Sequence, residues 1–150
     1  MRRTSPGFSP EASTGELVRR LMVYLWRGLR LRCPECGVSP VFVPAGRTRS
    51  VRDWFTPLDG CPRCGYAYER ESGYFLIATW GLHYFTVTGL GLALGLVLDT
   101  LVPMPLWVLV AVTAVPTVLF GFVFARYAKS LYLAIDHYFD PHVKPAYTPR

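Results

Sequence analysis

The segment YFLIATWGLHYFTVTGLGLALGLVL, residues 74–98, contains no Asp, Glu, Lys or Arg. A second segment without these residues, LWVLVAVTAVPTVLFGFVFA, occupies residues 106–125. A helix needs about 20 apolar residues to cross a bilayer, and both segments are long enough. As buried helices of a soluble protein they would need more chain around them than 150 residues provide. The sequence therefore predicts two transmembrane helices, residues 74–98 and 106–125, the second continuing as a cytoplasmic helix to about residue 136.

The distribution of basic residues predicts how these helices are oriented. Residues 1–73 hold twelve Lys or Arg and residues 126–150 hold four, whereas the connecting segment 99–105 holds none. The positive-inside rule then predicts an external loop and two cytoplasmic ends, so the helices form a hairpin in an inner (cytoplasmic) membrane. No apolar run follows Arg2 and Arg3, so we expect no cleavable signal.

The first thirty residues divide into two parts. Residues 1–13 are rich in Pro, Ser, Gly and Arg and predict a flexible tail. Residues 14–30 have helical periodicity, and Ser13 with Glu16 resembles a helix-start box. Such a helix can lie on the membrane surface, where its arginines contact anions, or pack on the adjacent cysteine module, and both interpretations stay open. Its apolar residues are Leu17, Val18, Leu21, Met22, Leu25 and Leu29, and its basic residues are Arg19, Arg20, Arg27 and Arg30.

All four cysteines lie in the next part of the chain, residues 31–72, in the motifs CPECG (residues 33–37) and CPRCG (residues 61–65). A two-residue gap lets a tight turn direct two sulfurs at one ion, and the glycine that follows can adopt a positive φ. Two such turns are typical of a closed tetrathiolate zinc site in a reducing compartment. The sequence thus predicts a small β zinc-ribbon-like module whose metal ligands are Cys33, Cys36, Cys61 and Cys64.

Other chemistry at these cysteines is less well supported. A c-type haem motif needs His directly after the second Cys, where this chain has Gly37 and Gly65. Iron is the serious alternative to zinc, because residues 61–69 resemble a rubredoxin knuckle and sulfur-only tetrahedral sites hold either metal.

The apolar segments contain two further features. His83 lies within the first predicted transmembrane helix, where an ionisable residue can contact a partner, bind haem or pass a proton, or simply bond to a backbone carbonyl or to Thr86. Gly91 and Gly95 have small-xxx-small spacing, which predicts close packing within the hairpin or between two copies of the chain. His137 and His142 belong to the predicted C-terminal tail, residues 137–150, and we expect them at the surface. We find no catalytic constellation, so we expect no enzyme activity.

The order of parts resembles the bacterial DUF983 family of membrane proteins. The resemblance covers roughly residues 28–138 and rests on the two CPxCG motifs, the two apolar segments and the exit sequence ARYAKSL at residues 125–131. Their placement is more specific than the cysteine motifs alone. The resemblance implies a bacterial inner-membrane protein, and some family members are encoded close to respiratory oxidase assembly genes.

The sequence supports three hypotheses about function. The leading one is a non-enzymatic zinc-binding accessory or assembly protein that docks to a larger membrane complex, such as a respiratory one. The second is rubredoxin-like electron transfer at the membrane. The third is binding of anionic lipid or nucleic acid through the basic N-terminal helix, and nucleic acid is disfavoured because the positive-inside rule already accounts for most of the arginines.

Overall fold

The computed structural model describes residues 13–69 and 73–140, and these residues form two compact units. The cysteine unit contains described residues 13–69 and 130–140, and the hairpin unit contains residues 73–129. The predicted tails lie mostly outside the described residues, as do residues 70–72 of the predicted module and His142. The elements, in chain order, are α1 (Thr14–Leu29), a 3-10 turn (Ala45–Arg47), α2 (Val51–Phe55), a π-helical segment (Ala78–Tyr84), α3 (Phe85–Leu101) and α4 (Leu106–Phe139).

In the cysteine unit, α1 packs against the C-terminal end of α4. The contact is centred on Gly28, where an added Cβ would lie 3.1 Å from the Cβ of Ala134 and 3.2 Å from the carbonyl oxygen of Ser130. The Ser130 hydroxyl donates a buried hydrogen bond of 2.8 Å to the Gly28 carbonyl. The absence of a side chain at Gly28 is what lets the two helix backbones approach this closely.

The start of α1 is where the sequence predicts it, but the predicted helix-start box does not form. Ser13 is the N-cap residue and its side chain makes no capping hydrogen bond. The Glu16 carboxylate instead accepts hydrogen bonds of 3.0 Å from Arg19 and Arg20. Two guanidinium groups one turn away compete successfully with the backbone N–H for this exposed carboxylate.

A complete capping box occurs at α2, where the sequence analysis did not predict one. The Asp53 N–H donates to the Ser50 hydroxyl at 3.1 Å, and the Ser50 N–H donates to the Asp53 carboxylate at 3.2 Å. These bonds satisfy N–H groups that a helix start otherwise leaves without a partner. The helix lies between the two cysteine motifs.

The β character predicted for the cysteine module is not found among the described residues, which form no named strand. Two isolated antiparallel bridges are present, Arg32 with Pro40 and Gly60 with Ala67. Each bridge closes one cysteine turn, and the pairing does not extend into a ladder.

The hairpin unit contains two helices that are long and apolar enough to cross a membrane. They are Ala78–Leu101, which combines the π-helical segment with α3, and α4, whose C-terminal end extends into the cysteine unit. The first begins and ends about three residues later than the predicted segment 74–98, and α4 ends at Phe139, beyond the predicted residue 136. In their most apolar windows, 0% and 6% of the residues are buried within the protein.

Small residues pack α3 against α4 in an antiparallel register. A Cβ added to Gly91 would lie 3.0 Å from the Thr117 Cγ2, and one added to Gly95 would lie 3.8 Å from the Thr113 Cγ2. The Gly91/Gly95 pair therefore serves the contact within the hairpin, which is one of the two uses that its spacing predicts.

Candidate metal centre

The two cysteine motifs form matching turns. The Gly37 N–H donates to the Cys33 carbonyl at 2.8 Å, and the Gly65 N–H donates to the Cys61 carbonyl at 3.0 Å. Gly37 and Gly65 have φ values of 69° and 73°, in the left-handed region that favours glycine. The sequence analysis predicted this use of the two glycines.

The four thiols converge on one point. The Sγ atoms of Cys33 and Cys64 are 3.7 Å apart, those of Cys36 and Cys61 are 3.6 Å apart, and all four lie within 4.8 Å of one another. A tetrahedral ion with bonds of about 2.3 Å places its sulfur ligands about 3.8 Å apart. The sulfur separations therefore fit a single ion held by four thiolates.

Within the described ranges, no second group of three or more His, Cys, Asp or Glu side chains is arranged to hold a metal ion. The predicted ligand set and the observed cluster are the same four residues. Both zinc and iron are compatible with this donor set, because their bonds to thiolate have similar lengths.

Burial and hydrogen bonding affect the thiols differently. Burial raises the pKa of Cys33 and raises the pKa of Cys64 to about 12. Burial also disfavours the Cys61 thiolate, but hydrogen bonds from the Ser39 side chain and from the backbone N–H groups of Cys64 and Arg63 outweigh it and lower the pKa of Cys61 to about 6. Since thiolates are the metal-binding form, the ion must displace protons from Cys33 and Cys64.

Apolar and aromatic side chains form the buried core of the cysteine unit together with these cysteines. Val41, Phe42, Tyr66 and Tyr68 are almost fully buried. The Tyr68 hydroxyl donates to the Pro40 carbonyl at 3.2 Å, which ties the second motif to the end of the first. Burial raises the pKa of this phenol, so Tyr68 stays neutral beside the cysteines.

His137 is the residue of this site that the sequence analysis misplaced. It was predicted to be a surface residue of the tail, but it lies in the last turn of α4 and is only 1% exposed. Its Nε2 is 2.8 Å from the Glu35 carboxylate, inside the first cysteine motif. The rings of Tyr24 and Tyr66 pack edge-on against its imidazole, at centroid distances of 5.2 and 5.0 Å.

His137 therefore links the end of α4 to α1, to the first cysteine motif and to Tyr66, which directly follows the second motif. The sequence feature that could have predicted the burial of His137 is the apolar pattern that continues after residue 125 through Leu131 and Ile135. This pattern predicts that the end of α4 packs against another part of the protein. The pattern does not say what it packs on.

The four arginines of α1 have different environments. Arg27 donates to the carbonyl oxygens of Pro34 and Glu35 at 2.6 and 3.0 Å, so it holds α1 to the first cysteine turn. Arg19 and Arg20 both bond to Glu16, and these bonds lower the pKa of the Glu16 carboxyl to about 2. The Arg30 guanidinium lies 4.4 Å from the centroid of the Trp26 ring. The structure therefore does not bring the four guanidinium groups together at one site.

His83 lies in the π-helical segment of the hairpin unit. Its ring stacks on Phe124 at 6.1 Å, and its Nδ1 has no hydrogen-bond partner in the described part of the chain. Thr86 is not that partner, because its hydroxyl donates to the Leu82 carbonyl at 2.7 Å. Among the described residues, His83 belongs to no group of three or more His, Cys, Asp or Glu side chains that could hold a metal ion.

Comparison with known proteins yields one match. The model of a family described as a protein of unknown function, DUF983, matches residues 51–137, more than half of the chain. The matched region includes the second cysteine motif and both apolar helices, and it begins after the first motif. No curated protein and no solved structure matches the chain.

Proposed function

Since the chain belongs to the DUF983 family, whose description states no function, we propose a function from the site and the helices themselves: a non-enzymatic accessory or assembly protein of the bacterial inner membrane. The cysteine unit holds a structural zinc ion and serves as a rigid docking head. The hairpin unit spans the membrane and packs against a larger complex, for which a respiratory complex is one choice. Both ends and the cysteine unit are cytoplasmic.

The observation that carries this proposal is the closed set of four sulfurs. Catalytic zinc sites keep one position for water or substrate, whereas four protein thiolates occupy every position of a tetrahedral ion. The ion then supplies folding free energy to a unit that has few apolar residues in its core. This supports a structural role for the metal and no enzymatic one.

The exposure of the two apolar helices supports membrane insertion. The core helix of a soluble protein would be mostly buried, but the most apolar windows of Ala78–Leu101 and Leu106–Phe139 are 0% and 6% buried. In water such surfaces would aggregate, whereas lipid or a membrane partner covers them without cost. The excess of Lys and Arg in residues 1–73 and 126–150 supports the cytoplasmic position of both ends.

The metal assignment is tested by elemental analysis of the purified protein in detergent, with a visible spectrum of the same sample. We expect one zinc per chain and no visible absorption band. One iron per chain, with a thiolate charge-transfer band that bleaches on reduction, would overturn the zinc assignment. It would favour the alternative function, rubredoxin-like electron transfer. The half-exposed Cys36 and Cys64 are the observation that favours that second candidate, because electron transfer needs an accessible edge.

The docking role is tested with the double variant Cys36→Ser/Cys64→Ser. We expect the variant to insert into the membrane but to lose the larger assembly, because the docking head no longer holds its metal. The size of the assembly is measured by native electrophoresis of gently solubilised membranes. The double variant Thr14→Ser/Thr56→Ser, at two exposed positions, is the matched control. A cysteine variant that assembled normally, at normal abundance, would refute the docking role.

A further inference from the structure

Helix α1 has two apolar faces, and only one of them is packed against the rest of the cysteine unit. The packed face contains Gly28, with Leu21 and Leu25 half-buried beside it. The other face, here called the outer face of α1, is exposed over 49% to 62% of each side chain. At about 100° per residue its members fall within an arc of roughly 80°. The outer face consists of Val18, Met22, Trp26 and Leu29.

Basic side chains border this apolar surface on one side. Arg19 is 72% exposed and Arg30 is exposed next to Trp26, over whose ring its guanidinium lies. Glu16 is shared between Arg19 and Arg20, so one carboxylate faces two guanidinium groups and a positive charge remains. A tryptophan ring with an arginine over its face combines an apolar body with a polar group, the combination favoured at the boundary between lipid and water.

Chain connectivity keeps this helix close to the end of an apolar segment. Gly28 contacts Ser130, and Ser130 is four residues from Arg126, the first charged residue after the second apolar segment. Four residues of chain span at most about 14 Å in any conformation. The headgroup region on each side of a bilayer is about 5–8 Å thick, so the C-terminal end of α1 stays within reach of it.

We propose that the outer face of α1 binds the anionic surface of the bilayer, with Val18, Met22, Trp26 and Leu29 among the upper acyl chains and Arg19 and Arg30 at the headgroups. This inference rests on the proposed membrane insertion of the hairpin unit. A second copy of the chain is a poorer occupant, because it would bring the same arginines against each other in a protein of net charge +6. The cysteine unit is then held to the membrane both by the chain and by this helix.

The test uses the full-length chain, one copy per lipid nanodisc, with acyl chains brominated near the headgroup so that they quench nearby tryptophan fluorescence. The chain has four tryptophans. The fluorescence of each one is obtained by subtracting the emission of the variant in which that Trp is replaced by Phe from the emission of the wild type. An interfacial helix buries its apolar face about 5–10 Å deep, so we expect the Trp26 emission to fall at least about twofold. Trp80 and Trp107 lie in the two apolar helices and report on insertion of the hairpin separately.

The outcomes separate this inference from the proposal on which it rests. Quenching of Trp80 and Trp107 without quenching of Trp26 would overturn the binding by α1 and leave membrane insertion standing. Absence of quenching at all three would overturn membrane insertion, and the inference with it.

The charge requirement has its own control. In nanodiscs of neutral lipid with a minor anionic fraction, Arg19→Gln/Arg30→Gln should reduce the quenching of Trp26. Arg47→Gln/Arg49→Gln, which removes two exposed arginines outside α1, should leave it unchanged. Equal quenching in neutral and anionic bilayers would overturn the anionic selectivity.

Discussion

At the scale of single residues, glycine and histidine decide how the cysteine unit packs. Gly28 allows the backbones of α1 and α4 to meet, and Gly37 and Gly65 adopt the positive φ that the cysteine turns require. The two turn glycines could be predicted, because the CPxCG motif is local in sequence. Gly28 and His137 could not, since their roles depend on contacts between residues about a hundred positions apart.

Replacing Gly28 should destabilise the cysteine unit. In Gly28→Leu the Cβ alone would lie 3.1 Å from Ala134 and 3.2 Å from the Ser130 carbonyl, so the helices must separate. We expect a loss of about 1–3 kcal/mol, the usual cost of overpacking, measured as a lower thermal unfolding midpoint in detergent. Gly15→Leu is the control in the same helix, because nothing lies within 4 Å of a Cβ at that position. Equal midpoints for the two variants would show that the α1–α4 contact is unimportant.

Replacing His137 should loosen the metal centre although it is not a ligand. His137→Ala removes the contact with Glu35 and the ring packing of Tyr24 and Tyr66. Loss of such a buried polar contact costs about 1–3 kcal/mol, so we expect zinc to be released to a chelator about tenfold faster. His83→Ala, in the hairpin unit, serves as the control and should release zinc at the wild-type rate. A wild-type rate of zinc release in His137→Ala would show that His137 only fills space in the core and does not stabilise the metal centre.

At the scale of secondary-structure elements, the structure departs from the predicted pattern in the first apolar helix and in the cysteine module. The first apolar helix opens with a π-helical segment, Ala78–Tyr84, where α-helix was expected. The cysteine module has two isolated bridges in place of strands. Hydrophobic periodicity identifies an apolar helix or an extended run, but it does not specify the hydrogen-bond register.

The register of α3 against α4 predicts different effects for two nearby glycines. Gly91→Val places a branched side chain against Thr117, whose Cγ2 would lie 3.0 Å from the new Cβ, whereas a Cβ at Gly89 meets nothing within 4 Å. We expect Gly91→Val to cost about 1–3 kcal/mol and Gly89→Val to be tolerated. Thermal stability of the detergent-solubilised protein compares them. A more damaging Gly89→Val would instead place the important helix contact between two copies of the chain.

At the scale of the whole molecule, the chain combines a cysteine unit and an apolar hairpin unit with different sources of stability. The cysteine unit has a small apolar core and four clustered thiols that could hold a metal ion, so we expect its fold to depend on that ion. The hairpin unit has backbone hydrogen bonds satisfied within its helices and exposes apolar side chains, as a lipid environment requires.

This dependence on the ion predicts a steep effect of pH. Burial raises the pKa of Cys33 and of Cys64, so both thiols carry protons at neutral pH that the ion must displace. Affinity therefore rises with pH, and these two protons alone should make it fall about 100-fold for each unit of acidification, tenfold for each proton. Near pH 6 the Cys61 thiolate also begins to take up a proton, which steepens the fall.

Competition with a zinc indicator between pH 6 and pH 8 measures this dependence. Chelation at neutral pH should have the same consequence as acid, with loss of ordered structure in residues 31–69 and none in the hairpin unit. An affinity that does not change with pH would show that the thiols are already ionised in the metal-free protein.

The sequence by itself determined the four clustered cysteines, the turn glycines, the two apolar helices and the family, because each of these is encoded within a short stretch or in the order of such stretches. Only the tertiary structure decided that Gly28 seats α1 on the end of α4, that His137 contacts Glu35, and that one apolar face of α1 remains exposed. These features depend on which distant segments meet. A periodic pattern specifies that an apolar face exists, but its partner is selected by packing in three dimensions.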